Sequence, residues 1–192
     1  MTGYWKTLMK PTLKVLASLM SIAALAAACN PFAHDNSRSA GAQDPRFAPF
    51  AVSSENKPVY GNDTDYLNHR MPNLGASEGH YAQILIADST WMPIPETKFW
   101  FSEVAVASEE TIAQLQQEIE GNDQLLPGIH PDLYQYVPQE CEFNSVPADR
   151  ANTILDTAAH SYPNSTDSFS VTDLALSPDC HLVIMTGKGV NG

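Results

Sequence analysis

Six histidines, three cysteines and 22 carboxylates are the residues from which this 192-residue chain could build a reactive centre. The histidines are His34, His69, His80, His130, His160 and His181. None stands two or four places from another, so no strand or helix face carries a pair of imidazoles, and neither H-E-x-x-H nor C-x-x-C occurs. Asp63-Thr64-Asp65 opens like a calcium loop. Leu67 then occupies the place of an oxygen ligand and Asn68 that of the turn glycine. Gly75-Ala76-Ser77-Glu78-Gly79 spells a nucleophile elbow. That motif exposes its serine only when a strand leads in and a helix leads out. Here Pro72 interrupts the approach and an apolar strand pattern follows, so Ser77 is assigned no catalytic role. Thr186-Gly187-Lys188-Gly189 is too short for a phosphate loop. The sequence therefore yields no catalytic residue, no metal ligand and no cofactor site.

The first 28 residues have a different grammar. Lys6, Lys10 and Lys14 precede a 14-residue apolar run, residues 15–28, that ends in three alanines before Cys29. A basic front, a short apolar stretch and a small-residue exit make a secretory signal peptide. A membrane span needs about 20 apolar residues, so the leader is expected to be removed. Leu25-Ala26-Ala27-Ala28-Cys29 resembles the lipobox of bacterial lipoproteins. The resemblance covers residues 1–29 only. It implies a diacylglycerol thioether on Cys29, cleavage before it and acylation of the new amino terminus. Ala26 departs from the leucine usual at that place, and cleavage after Ala28 without lipid is the alternative. Asn30, where an aspartate would favour the inner membrane, makes the resemblance point to the outer membrane, with the domain facing the periplasm or the cell surface.

Loss of the leader leaves 7 basic against 22 acidic residues, a net charge of −15. Such a surface repels nucleic acid, which demands clustered Lys and Arg. With Cys29 lipidated, Cys141 and Cys180 remain, and an even number in an oxidising compartment reads as one disulfide. Glu140 and Glu142 flank Cys141 and disfavour a reactive thiolate. Cys180 and His181 are adjacent on an expected strand and point to opposite faces, so they cannot share an ion.

The elements that would position these groups follow from periodicity. Residues 29–78, punctuated by Pro31, Pro45, Pro49, Pro58 and Pro72, read as a largely unstructured tether, and residues 79–192 as one α+β domain. Within it, residues 81–87 and 98–107 read as strands. Ser108 caps a helix whose first turn carries Glu109 and Glu110. Ala151, Ile154, Leu155, Ala158, Ala159 and Tyr162 mark a second helix, ended by Pro163. Residues 169–176 and 181–186 form a hairpin around Ser177-Pro178-Asp179. The order β-β-α-α-β-β predicts a two-layer fold: an antiparallel sheet of about four strands under two helices. Cys141 would staple the helical layer to the sheet through Cys180.

Between the first two strands lies a proline-stiffened turn carrying Trp91, Met92 and Ile94. It has two readings, a cover over the core edge or a binding loop. Anchor, tether, acidic surface and missing motifs lead to one functional expectation. The chain is a non-enzymatic accessory or binding module for another envelope component, such as an assembly factor, inhibitor or immunity-type protein. The alternative is a small periplasmic hydrolase whose site converges only in the fold, with His160 or His181 beside a carboxylate.

Overall fold

The computed structural model describes residues 44–86, 97–121, 125–159 and 167–191. Cys29 and the loop residues Trp91, Met92 and Ile94 lie outside the described residues. Strands β1 (Val59–Gly61), β2 (Glu78–Leu85), β3 (Thr97–Val106), β4 (Asn144–Val146), β5 (Ser168–Ser177) and β6 (Leu182–Asn191) form one sheet in the order β1-β2-β3-β6-β5-β4, antiparallel throughout. The α+β class with an antiparallel sheet is as expected. The strand count is corrected from about four to six, because each edge strand spans only three residues, too few to show alternation.

Helices α1 (Thr64–Arg70), α2 (Glu109–Gln116) and α3 (Ala148–Leu155) cover one face. Helix α1 lies in the stretch read as tether. The Asp63 carboxylate caps it by accepting from the N–H groups of Asp65 and Tyr66, which is why this aspartate stands there. Leu67 in the helix, Met71 at its C-cap and Leu74 in the turn beyond are fully buried. This short apolar run was hidden among polar residues and prolines. Helix α2 begins at Ser108, whose hydroxyl accepts from the N–H of Thr111. Helix α3 stops earlier than its apolar spacing predicts. Asp156 turns into the left-handed region at φ 55° and ends it, leaving Ala158 and Ala159 exposed.

The opposite face is covered by irregular chain. Residues 44–50, residues 125–129 and a 3₁₀ helix (Pro131–Tyr136) bring Phe47, Leu126, Ile129, Leu133, Tyr134 and Val137 against Ala82, Val104, Ala175, Leu182 and Ile184 of the sheet. The Arg46 guanidinium donates to the carbonyls of Val137 and Pro138 and pairs with Asp44, which pins the first of these segments to the end of the 3₁₀ helix. The fold thus has a third layer that the two-layer expectation lacked. Cys141 is bonded to Cys180 across a separation of 39 residues. The bond ties this irregular layer, not the helical one, to the β5–β6 turn.

Two glycines make room for the helix-side aromatic core. A Cβ on Gly187 would sit 2.8 Å from the Phe169 ring, and one on Gly189 would sit 2.4 Å from the Phe99 ring. The Gly-Lys-Gly string of β6 is therefore a seat for two phenylalanines, with Lys188 exposed on the other face.

Candidate functional site: a cleft and a notch on the irregular face

Continuous alternation along β5 would send Val171 and Asp173 to the same, helix-covered side. A β-bulge intervenes between these residues, and Thr172 and Asp173 together oppose Thr186 of β6. Both consequently face away from the helices, while Phe169, Val171, Leu174 and Leu176 remain in the core beneath them. The sequence does hold a signal for this: the apolar positions are spaced 2, 3 and 2 instead of 2 throughout.

The bulge builds the floor of an open cleft of about 680 Å³. Trp100, Thr172, Asp173 and Thr186 form the floor, and the walls come from residues 48–52, 125–128 and 145–148, with Glu120 at the rim. Thr186 Oγ1 donates to Asp173 Oδ2 at 2.8 Å. Its only proton is then spent, so the 2.9 Å contact between the two threonine hydroxyls has Thr172 as donor. Both hydroxyl protons are turned inward, and the floor offers lone pairs and a carboxylate. A ligand there must bring the donors.

A row of rings leaves the cleft along the same face. Trp100 meets Phe50 edge-on at 5.0 Å, Phe50 meets His130 at 5.1 Å, and His130 meets Tyr60 at 5.4 Å. His130 is the N-cap of the 3₁₀ helix. Its Nδ1 accepts from the Asp132 N–H at 3.2 Å, which places the ring proton on Nε2, and its own N–H donates to the buried Ser102 hydroxyl. Burial lowers the His130 pKa against the opposing pull of Asp132, so the ring is neutral near pH 7. The Tyr60 hydroxyl donates to Asp132 Oδ2 at 2.5 Å. Burial, reinforced by that bond and by the carboxylate charge, raises the tyrosine pKa.

Beyond this row lies a notch of about 260 Å³, lined by Tyr60, Gly61, His80, Tyr81, Asp132, Leu133, Gln135 and Tyr136. His80 stacks on Tyr136 with ring centroids 3.6 Å apart and planes 4° from parallel. Burial lowers the His80 pKa as well.

Under the helices, the sheet holds one carboxyl in an apolar setting. Glu103 of β3 is fully buried between Phe101 and Ala105, opposite Tyr81 on β2 and Met185 on β6. Neither carboxyl oxygen has a hydrogen-bond partner, and burial pushes its pKa up to about 8. Nearby, the Arg70 guanidinium lies 4.4 Å from the Phe99 ring centroid and 4.8 Å from that of Tyr66, and donates to Asn191. Strand alternation from Phe99 and Phe101 places Glu103 on their face, the one sign in the sequence that this carboxyl turns inward.

Of the residues singled out in the sequence, Cys141 and Cys180 come together, whereas Ser77 is exposed ahead of β2. His69 lies in the last turn of α1 and is exposed, and His181 sits in the β5–β6 turn at φ 53°. His160, one of the two histidines named for a hydrolase, lies outside the described residues. Among the described residues, no three His, Cys, Asp or Glu side chains group as metal ligands. No helix among them is long and apolar enough to cross a membrane. Comparison of the chain with protein-family models, curated proteins and solved structures finds no match in any of the three.

Proposed function

We propose that this protein is an envelope lipoprotein, held to a membrane through acylated Cys29, that binds another envelope component without transforming it. The supporting observation is the cleft above the β5 bulge. It is open, has a volume suited to a peptide segment or a small ligand, and carries a carboxylate beside two hydroxyls whose protons are already committed. A hydrolytic site needs a base poised on a nucleophile. In the cleft the Thr186 hydroxyl donates to the Asp173 carboxylate, a base too weak to activate it without an imidazole between them, and no described histidine lines the cleft. Among the described residues, His130, joined to the cleft by the row of rings, has its Nδ1 occupied by the cap. Recognition through ligand donors is what this surface does well.

Two measurements test the reading. The intact mass of protein extracted from membranes should show acylated Cys29 with residues 1–28 removed, and an unlipidated mass would remove the anchor. A photo-crosslinking residue at Ser145, on the cleft wall, should capture an envelope partner, and Asp173→Ala in the same chain should abolish capture. The same yield with and without Asp173→Ala would exclude the cleft as the docking place.

A further inference from the structure

We propose that the notch between β1 and the 3₁₀ helix is a binding site for an alkylammonium group, supplied either by a small quaternary amine or by a lysine side chain. The proposal stands on the notch residues and is independent of the cleft.

Three features of the notch select a cation. Its lining is rich in rings: Tyr60, Tyr81 and the stacked His80–Tyr136 pair. The faces of aromatic rings carry negative potential and attract ammonium groups, most strongly where water is partly excluded. The second feature is Asp132, whose side chain is 39 % exposed. Its Oδ2 accepts a hydrogen bond from the Tyr60 hydroxyl, and among the described residues it pairs with no lysine or arginine. The basic group that faces it among the described residues is His130, 3.7 Å away, which is neutral near pH 7 and leaves the charge uncompensated. Third, no lysine or arginine lines the notch among the described residues, so no described ammonium or guanidinium competes with an incoming cation. A volume of about 260 Å³ admits a trimethylammonium head or the end of a lysine, and is small for a sugar ring with its hydration.

The roles of the side chains follow. Asp132 provides the counter-charge, the tyrosines provide ring faces, and the Tyr60 hydroxyl orients the carboxylate. The chain's net charge of −12 would draw cations from solution, with a salt-dependent rate.

The test is an NMR titration of the protein, following amide and side-chain shifts, with choline and its uncharged isostere 3,3-dimethyl-1-butanol. Choline should perturb Tyr60, His80, Asp132 and Tyr136, while the alcohol binds more weakly by about fivefold or more, the share expected of a partly exposed charge pair with aromatic faces. Asp132→Asn keeps the shape and the acceptor for Tyr60, and should weaken choline by a similar factor. Tyr60→Phe keeps the ring, frees a carboxylate lone pair and should retain binding. Choline and alcohol binding equally, an unchanged Asp132→Asn variant, or shifts confined to the cleft would each overturn the proposal. A lysine-containing peptide in the same titration separates the sources. Tighter binding than choline, with the same residues shifted and the same loss in Asp132→Asn, assigns the site to a partner protein; weaker binding assigns it to a small amine.

Discussion

The two faces of the sheet differ in how they are covered, and the difference separates stability from recognition. On the helical side, α1, α2 and α3 lay regular apolar stripes on Phe99, Phe101, Phe169 and Met185. Side chains there interlock, and even glycines serve to seat rings. On the other side, irregular chain follows the sheet only partway. Where residues 48–52 and the 3₁₀ helix arch over it, the cleft and the notch remain. Helices bring a continuous stripe, whereas loops bring isolated anchors such as Phe47 and Ile129 and leave gaps between them. Polar groups follow the same division, with one carboxyl trapped in the dry face and a set of acceptors displayed on the wet one.

The largest effect tests whether the irregular face depends on its covalent tie. Replacing Cys141 and Cys180 by serine should lower the unfolding free energy by about 4 kcal/mol, from loop entropy over 39 residues, as measured by urea denaturation. Hydrogen exchange in residues 126–141 should accelerate more than in α2 and α3. Equal acceleration on both faces would break the comparison.

Next in size is the trapped carboxyl. Because burial raises the Glu103 pKa from 4.5 to about 8, the folded state holds a proton that the unfolded state releases. Its contribution is fully present below pH 4.5 and is lost as pH rises towards 8, on the order of a few kcal/mol across that window. Thermal melts at several pH values should show this slope in the native protein and a flatter one in Glu103→Gln. Matching slopes would mean that water reaches the carboxyl.

A smaller effect concerns the sheet edge. Beyond β4, the Asn152 side chain takes the place of a neighbouring strand, accepting from the Val171 N–H and donating to the Val171 carbonyl at 2.8 Å each. Asn152→Ala should cost about 1–3 kcal/mol by leaving those groups unpaired, read by chemical denaturation. An effect within error would show that water replaces the amide. The smallest stability change belongs to the open face. Asp173→Asn should shift stability by no more than about 0.5 kcal/mol, yet reduce partner capture. A large loss of stability there would make the bulge a folding device and sharpen the comparison in the opposite sense.

How far each feature was legible in the sequence depends on how local its cause is. The Ser108 cap, the two long central strands and the β5–β6 hairpin follow from a cap residue, an apolar run and a turn, each contained in a few consecutive residues. Leu67, Met71 and Leu74, in and just after α1, form a short apolar run too, but so brief a run among prolines carries little weight without the sheet beneath it.

By itself the sequence determined the α+β class, the helix-capping chemistry and the pairing of Cys141 with Cys180, because local propensity and a two-cysteine count suffice for these. Only the tertiary structure decided which layer the disulfide ties down, that β1 and β4 complete a six-stranded sheet, that a bulge turns Asp173 outward, and that Glu103 is buried. Register between strands distant in the chain sets those outcomes. A shift of one residue exchanges the faces of every side chain, and no local pattern records which register wins.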